Sequence, residues 1–357
     1  MTRSFFQPKV VALVPAVSEE AHIALTIEAL RNQTRQVDRI VVVINNCHDD
    51  TEKICRNLGV EVLVIPGFNP HRKAGALNAG LDLVLPELED FDGVLMIDAD
   101  TMLNDVFVEH AVKNMRHGVG GVCARYDSTA SKTILERLQS NEFARSRRSL
   151  SRRDGNTKIL VGIAAMFSAG TLRAVIEARR SGKLPGAPAV YNVKSYTEDY
   201  ELTLALKTLG LKLICPEHCR PTTDAMKTIK NLWRQRVRWS RGALEDLELY
   251  GYTAATRSYI LAQVGRMLTM MSPIVYVLYL VSLYLAYGHI NWSLPWMLVN
   301  VVFVGSRVLT VRHEGRKAMT LAALIVPELL YDWFMGAAYF AGLVKWLKGS
   351  ALQWADT

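Results

Sequence analysis

Cysteine is scarce in this 357-residue chain. Cys47, Cys55, Cys123, Cys215 and Cys219 show no framework spacing, which argues against a disulfide-stapled secreted scaffold and fits a reducing compartment. Cys215 and Cys219, with His218 between them, offer half a metal site, but no second pair follows, so structural zinc lacks ligands. A leader segment is not expected either, because Phe5-Phe6 gives way at once to a strand-like run; the amino-terminal part is expected to stay in the cytosol. Charge is sparse only in residues 258–347. The chain as a whole is 50% hydrophobic yet 21% charged, which excludes a uniformly membrane-embedded protein. Composition thus divides it into a soluble α/β part, residues 1–250, and a membrane region, 251–357, of about three transmembrane or interfacial helices. A net charge of +8 suits an anionic partner: nucleic acid, anionic lipid or a phosphorylated substrate.

What is present first is an alternation. Residues 9–15, 39–44, 60–65 and 94–97 are short apolar runs, as expected of strands buried on both faces of a parallel sheet. Ser18-Glu19-Glu20 reads as the start of a helix carrying Ile23, Leu25, Ile27 and Leu30; Asp49-Asp50-Thr51-Glu52 starts another. Such alternation predicts a doubly wound sheet, whose ligands bind beyond the carboxyl ends of its strands. The fourth run delivers Asp98 and Asp100 at such an end.

Asp98-Ala99-Asp100 offers two carboxylates directed the same way from an extended segment. They suit a hard cation such as Mg²⁺ or Mn²⁺, although aspartates are also common in plain turns. In His71-Arg72-Lys73-Ala74-Gly75-Ala76-Leu77-Asn78, Lys73 stands at a helix start, where it reaches a phosphate or is simply solvated. Thr197-Glu198-Asp199 begins a helix with Leu202, Leu206 and Leu209 on its apolar stripe and Gly210 as its stop. First-turn acids there also suit the helix dipole without any chemistry. Gln235-Arg236-Val237-Arg238-Trp239 lies in a basic, aromatic helix over residues 231–241. Its guanidinium groups match phosphate and its rings match the CH faces of sugars, but a nucleic-acid or membrane-surface face has the same composition. Arg145, Arg147, Arg148, Arg152 and Arg153 form a basic patch on a further helix, read as a solvated or lipid-facing surface or as the seat of an anionic acceptor.

In this order and spacing the D-x-D, T-E-D and Q-R-x-R-W motifs resemble glycosyltransferase family 2, particularly its processive cellulose-, chitin- and hyaluronan-synthase branch, over residues 8–250. The resemblance implies a GT-A fold, a Rossmann-like nucleotide-sugar-binding domain, followed here by a carboxyl-terminal α-helical transmembrane region. It implies that Asp100 binds Mn²⁺ or Mg²⁺ together with Asp98, which also contacts the nucleoside of the donor. Pro15, Ala16, Glu19 and Asn45 match positions that hold the base. Gln235 and Arg238, with Lys73, meet the diphosphate or the acceptor. Asp199 is the implied general base, Glu198 its neighbour on the acceptor side, and Trp239 the stacking floor beneath the acceptor sugar. One departure stands out: the paired aspartates usual after the second strand are replaced by Ile44-Asn45. Asn45 still donates and accepts hydrogen bonds, so donor class is better specified than the base. Residues 162–168 stand where relatives line the acceptor entrance.

In the carboxyl-terminal part, residues 267–287 are long enough to cross a bilayer, for which about 20 residues are needed. Residues 294–311 form a shorter segment carrying Arg307, and 318–344 contain Pro327, Glu328 and Asp332. Arg257 and Arg266 before the first segment, and Arg312, Arg316 and Lys317 in the second loop, place those ends inside. Glu328 and Asp332 share one helix face. They line a translocation path, pack between helices or lie at the interface. A buried helical domain or an interfacial hairpin would show the same pattern.

The expectation is a metal-dependent, inverting glycosyltransferase that moves a sugar from a UDP-sugar to a growing β-linked glycan. It is expected at the cytoplasmic (inner) membrane as a multi-pass protein, with its catalytic domain on the cytosolic side, in contact with lipid and open to homo-oligomerisation. Transfer of one or a few sugars to a lipid or protein acceptor is the alternative. A nucleic-acid partner is disfavoured, because aspartates at strand ends repel phosphate unless a cation intervenes.

Overall fold

The computed structural model describes residues 7–129, 131–153, 155–289 and 294–349; Phe5, Phe6 and residues 290–293 lie outside these. Contacts divide the chain into two compact units, Met1–Ala130 with Ser149–Ala225, and Ser131–Arg148 with Met226–Thr357. The helix bearing Gln235, Arg238 and Trp239 therefore groups with the carboxyl-terminal helices, although composition places it in the 1–250 segment.

The first unit begins with β1 (Val10–Ala16), α1 (Ile23–Arg31), β2 (Arg39–Ile44), α2 (Thr51–Asn57), β3 (Glu61–Val64), α3 (Arg72–Val84), β4 (Gly93–Ile97), α4 (Phe107–Asn114), β5 (Val119–Cys123) and β6 (Asp127–Ser128). After α5 (Ile134–Ser151), which belongs mostly to the second unit, it continues through β7 (Ala164–Ser168), α6 (Ala169–Arg180), α7 (Glu198–Thr208), β8 (Lys212–Ile214) and β9 (Thr222–Thr223). Seven strands form one sheet in the order β3-β2-β1-β4-β7-β5-β8; β6 and β9 pair separately. β1 lies parallel between β2 and β4, with Leu13 opposite Val41 on one side and Met96 on the other. Only β7 runs against its neighbours.

All seven residues of β1 are buried. That is why the run is continuously apolar rather than alternating: both sheet faces are covered, and each fully buried Leu or Val contributes about 1.5–3 kcal/mol. From β1 the chain travels outward to β2 and β3, then returns across β1 to β4. The crevice beyond the carboxyl ends of β1 and β4 is thus the topological switch point.

The first helix starts later than Ser18-Glu19-Glu20. These residues make a turn in which Ser18 has φ 50°, and the Glu19 carbonyl accepts from the His22 and Ile23 amides. Leu25, expected on the apolar stripe, is 49% exposed, because Ile23, Thr26, Ile27 and Leu30 already define the buried face. Besides Ser18, non-glycine residues in the left-handed region are Asn46 (φ 51°) and Arg72 (φ 50°). All three lie just past β1, just past β2 or at the start of α3, so backbone strain collects around the crevice.

The second unit contains most of α5, then α8 (Ile229–Tyr250), α9 (Arg257–Tyr287), α10 (Leu294–Thr310), α11 (Arg316–Ala323) and α12 (Ile325–Leu347). α8 starts at Thr228, whose hydroxyl caps it by accepting from the Asn231 amide. α12 lies so close to α8 that a Cβ on Gly342 would stand 2.8 Å from the Ser240 Cβ. Glu328 is fully buried and accepts from Arg145, Arg307 and Asn141, while Asp332 accepts from Arg307. The two acids therefore hold helices together. Arg147 pairs with Glu314 at 2.5 Å and Arg148 donates to the Leu309 carbonyl at 2.6 Å. These three arginines of the basic patch are thus committed within the unit rather than offered to lipid or an acceptor, whereas Arg152 and Arg153 are exposed.

Among the described residues, no single helix is long and apolar enough to cross a membrane. Arg316–Ala323 and Val326–Leu347 would do so only as a pair bent by 76°, and Val277–Tyr287 and Val301–Thr310 are shorter apolar helical stretches. α9 nevertheless leaves Leu261, Leu268, Ile274, Leu278, Val281 and Leu285 exposed.

Candidate active site

Four elements of the first unit, β1, α3, β4 and α7, bring residues to one pocket past the sheet. Pro15 stands near the end of β1, β4 ends at Ile97 and is followed by Asp98, and α7 opens with Glu198 and Asp199; Lys73 from α3, Gly162 and Tyr191 also line the pocket. Asp98 sits there because a strand buried on both faces cannot hold an unpaired carboxylate until it leaves the sheet. Glu198 and Asp199 occupy the first turn of α7, where the helix dipole favours negative charge.

Lys73 is the hub. Its ammonium lies 2.5 Å from Asp98, 3.4 Å from Glu198 and 3.1 Å from the Gly162 carbonyl oxygen. Burial alone would lower its pKa, but Asp98 and Glu198 outweigh that and raise it, so Lys73 is charged at every physiological pH. Burial raises the pKa of Asp98; Lys73 opposes this, and Asp100 and Glu198 add to it. Glu19 is also raised, by burial first and by the charge of Asp100 next. Glu19, Asp98 and Asp100 therefore feel one another across the crevice.

Asp199 is held by the chain beside it: the Gly162 amide donates to its Oδ2 at 3.1 Å and the Tyr200 amide to its Oδ1 at 2.8 Å. Tyr191 is held from the opposite side, by α3. The Asn78 side chain donates to the Tyr191 carbonyl at 2.9 Å and accepts from the Tyr191 amide at 3.0 Å. Behind α7, Arg179 and Glu201 form an ion pair with both side chains fully buried, and Arg179 also donates to the Val190 carbonyl.

Of the base-binding candidates, Pro15 lines the pocket, while Ala16 is fully buried and contributes its carbonyl, which accepts from the Asn45 amide at 3.0 Å. Asn45 is fully buried too; its Oδ1 accepts from Asn69 at 2.9 Å, and its Nδ2 has no hydrogen-bond partner among the described residues. A second hollow, about 290 Å³, lies past β2 and β3 between Asn46, His48, Asp49 and Phe68. Gln235, Arg238 and Trp239 lie on α8 in the second unit, where Trp239 is 38% exposed. Tyr191 and Asn69 carry no sequence motif; only their partners, Asn78 and Asn45, stand in recognisable segments.

Among the described residues, no three His, Cys, Asp or Glu side chains converge as a complete metal site. His218 stacks on His110, with ring centroids 4.3 Å apart, instead of joining the cysteines. Two mutually repelling carboxylates nevertheless fit a cation that takes its remaining ligands from phosphates and water, which is how Mg²⁺ is commonly held.

Carboxylates and a lysine thus gather at the switch point of a doubly wound sheet, the place where such sheets bind their ligands. Residues 11–179 match the family model "Glycosyl transferase family 2". Over 247 residues the chain is 28% identical to a probable glycosyltransferase, YdaM, of Bacillus subtilis, covering 66% of this chain and 55% of that one. It is 24% identical over 177 residues to a poly-beta-1,6-N-acetyl-D-glucosamine synthase of Staphylococcus aureus, covering 49% of this chain and 39% of the relative. The chain thus spans about half the length, or less, of these relatives. A solved mannosyltransferase, PcManGT from Pyrobaculum calidifontis, in complex with GDP-Man and Mn²⁺, shares the fold with TM-score 0.57 at 19% identity, over 97% of this chain and 89% of that one.

Proposed function

We propose that the chain transfers a sugar from a nucleotide diphosphate donor to a glycan acceptor by a single, inverting displacement, with Asp199 as general base. The observation that carries this is the Lys73 cluster: a permanent cation flanked by Asp98, Glu198 and Asp199 in one pocket at the switch point. In the reaction an acceptor oxygen attacks the anomeric carbon as the bond from that carbon to the diphosphate breaks. The acceptor proton passes to an Asp199 oxygen, and the bonding electrons leave with the diphosphate. The Gly162 amide keeps the Asp199 carboxylate oriented. Lys73 supplies positive charge for the departing phosphate. Asp98 and Asp100 would hold Mn²⁺ or Mg²⁺, which supplies Lewis-acid stabilisation of the leaving group when bound. Gln235 and Arg238 are assigned to donor or acceptor contact, and Trp239 to stacking on the acceptor sugar.

Extension of a β-linked polymer from a UDP-sugar is the finer reading. It is supported by the full Q-R-x-R-W motif and the similarity to a poly-beta-1,6-N-acetyl-D-glucosamine synthase. Association with a membrane through the carboxyl-terminal helices is supported by the exposed apolar surface of α9. The functional division at residue 250 and the cytosolic placement of the catalytic part follow from the same reading. The test is nucleotide release from a panel of UDP- and GDP-sugars by protein in detergent, with Mn²⁺, Mg²⁺ or EDTA, and products sized on a gel. Metal-dependent release with one donor and a long ladder is expected. A single short product selects transfer to a lipid or protein acceptor, and no turnover with any donor overturns the enzyme assignment.

A further inference from the structure

In the second unit the exposed ring of Trp239 is backed by a chain of buried polar contacts. The Arg236 guanidinium lies 4.4 Å from the Trp239 ring centroid, over its face. Arg236 is itself 7% exposed and donates through Nη2 to Glu142 of α5 at 2.9 Å. The same Glu142 oxygen accepts from the Tyr331 hydroxyl of α12 at 2.6 Å, and Tyr331 is 5% exposed. Three helices thus converge on one carboxylate, and that carboxylate fixes the cation beneath the ring.

The arrangement has a chemical consequence. A guanidinium over one face of an indole fixes the plane of the ring and occupies that face, leaving the opposite face for a ligand. A sugar stacks on an aromatic ring only if the ring is already oriented. An indole free to rotate about χ1 and χ2 would lose that rotameric freedom at every binding event. Trp233, six residues earlier, is held differently, by an edge contact to Phe334 with centroids 5.6 Å apart. It serves as an internal reference.

We propose that Arg236, seated by Glu142 and Tyr331, is the positioning residue of the Trp239 platform, so that α12 sets the orientation of the ring. The assignment of Trp239 to acceptor stacking rests on the function proposed above; the orientation of the ring by Arg236 does not.

The full chain labelled with 5-fluorotryptophan separates the two. Seven tryptophans give seven fluorine resonances, and loss of a line in Trp239→Phe and in Trp233→Phe assigns the two of interest. Arg236→Met is expected to shift and broaden the Trp239 line while leaving the Trp233 line in place. Tyr331→Phe, which removes one hydroxyl and no packing, is expected to do the same to a smaller degree. Arg236→Lys, which keeps charge but not the planar fork, is expected to restore the line only in part. A variant that fails to fold moves all seven lines, and Tyr331→Phe then decides. An unmoved Trp239 line in Arg236→Met or, if that variant does not fold, in Tyr331→Phe overturns the proposal.

The kinetic arm uses wild type and Tyr331→Phe, with cellotetraose and chitotetraose as probe acceptors. A rise of about 2- to 30-fold in probe KM, with donor KM and acceptor-free nucleotide release unchanged, is the magnitude a cation–π contact allows. If no probe stimulates wild type, the acceptor role of Trp239 falls while the fluorine spectra still decide the orientation.

Discussion

The amide of Gly162 donates to the Oδ2 of Asp199 at 3.1 Å, and a Cβ built on Gly162 would stand 2.9 Å from that same oxygen. The residue that orients the candidate base must therefore lack a side chain. Gly162→Ala is expected to push the Asp199 carboxylate aside and lower kcat by about 10²-fold, the usual effect of an ångström-scale misplacement. Donor KM should stay within a few-fold. Steady-state kinetics beside circular dichroism would check this, and an unchanged kcat would show that Asp199 does not need this orientation.

Removing the base itself should be more severe. Asp199→Asn is expected to lower kcat by about 10²- to 10⁴-fold, the range for a general base, with nucleotide affinity retained in calorimetric titration. Loss of nucleotide binding with turnover retained would reassign Asp199 to the donor.

Asn78 clamps the backbone of Tyr191 at both its amide and its carbonyl, 113 residues further along the chain. Asn78→Ala removes two hydrogen bonds of roughly 1 kcal/mol each and is expected to lower Tm by several degrees. Asn78→Asp keeps the acceptor for the Tyr191 amide and loses the donor, so an intermediate Tm is expected.

Breaking the fully buried Arg179–Glu201 pair leaves a charge with no solvent. Arg179→Met is expected to cost about 3–5 kcal/mol, and Arg179→Met with Glu201→Leu to recover most of it, because the desolvation penalty goes with the pair. Urea unfolding of the single and double variants measures both. A double variant no more stable than the single would show that the contacts of Arg179 with the Pro185 and Val190 carbonyls dominate.

The raised pKa of Asp98 gives a pH signature. A carboxylate whose folded pKa lies above its unfolded value stabilises the metal-free protein below the unfolded pKa, and that contribution is lost as pH rises through the folded pKa. Without metal, Asp98→Asn should therefore match wild type at low pH and be the more stable of the two at neutral pH. With Mn²⁺ the order should reverse, since the cation favours the ionised form that only wild type supplies. Tm across pH, with Mn²⁺ and with EDTA, reads both.

Much of the fold was legible. β1, β2 and β4 read as apolar runs because their residues are largely buried, and such runs are visible in one dimension; β3, at the edge of the sheet, is only partly buried, with Glu61 and Val64 exposed. Asp98 was legible for the same reason: a carboxylate ends a buried strand where it meets solvent. Leu25 was misread because a period of 3.6 shared by four other residues leaves it on the far face. Arg145, Arg147 and Arg148 were read as a surface patch because their partners, Glu328, Glu314 and the Leu309 carbonyl, lie more than 160 residues away. Tyr191 had no signal at all. Its place is set by Asn78 and by the Arg179–Glu201 pair, none of which is near it in a recognisable pattern.

The sequence by itself determined the alternation of strands and helices, the position of the carboxylates at strand ends, and the family resemblance carried by three motifs. Those are local matters of hydrophobic run length, turn chemistry and side-chain type. Only the tertiary structure decided which charges meet. It joined Lys73 to Asp98 and Glu198, committed the α5 arginines to helix packing, and seated Arg236 against Glu142. Electrostatic pairing acts over a few ångströms of space regardless of separation along the chain, so no reading of spacing alone could supply it.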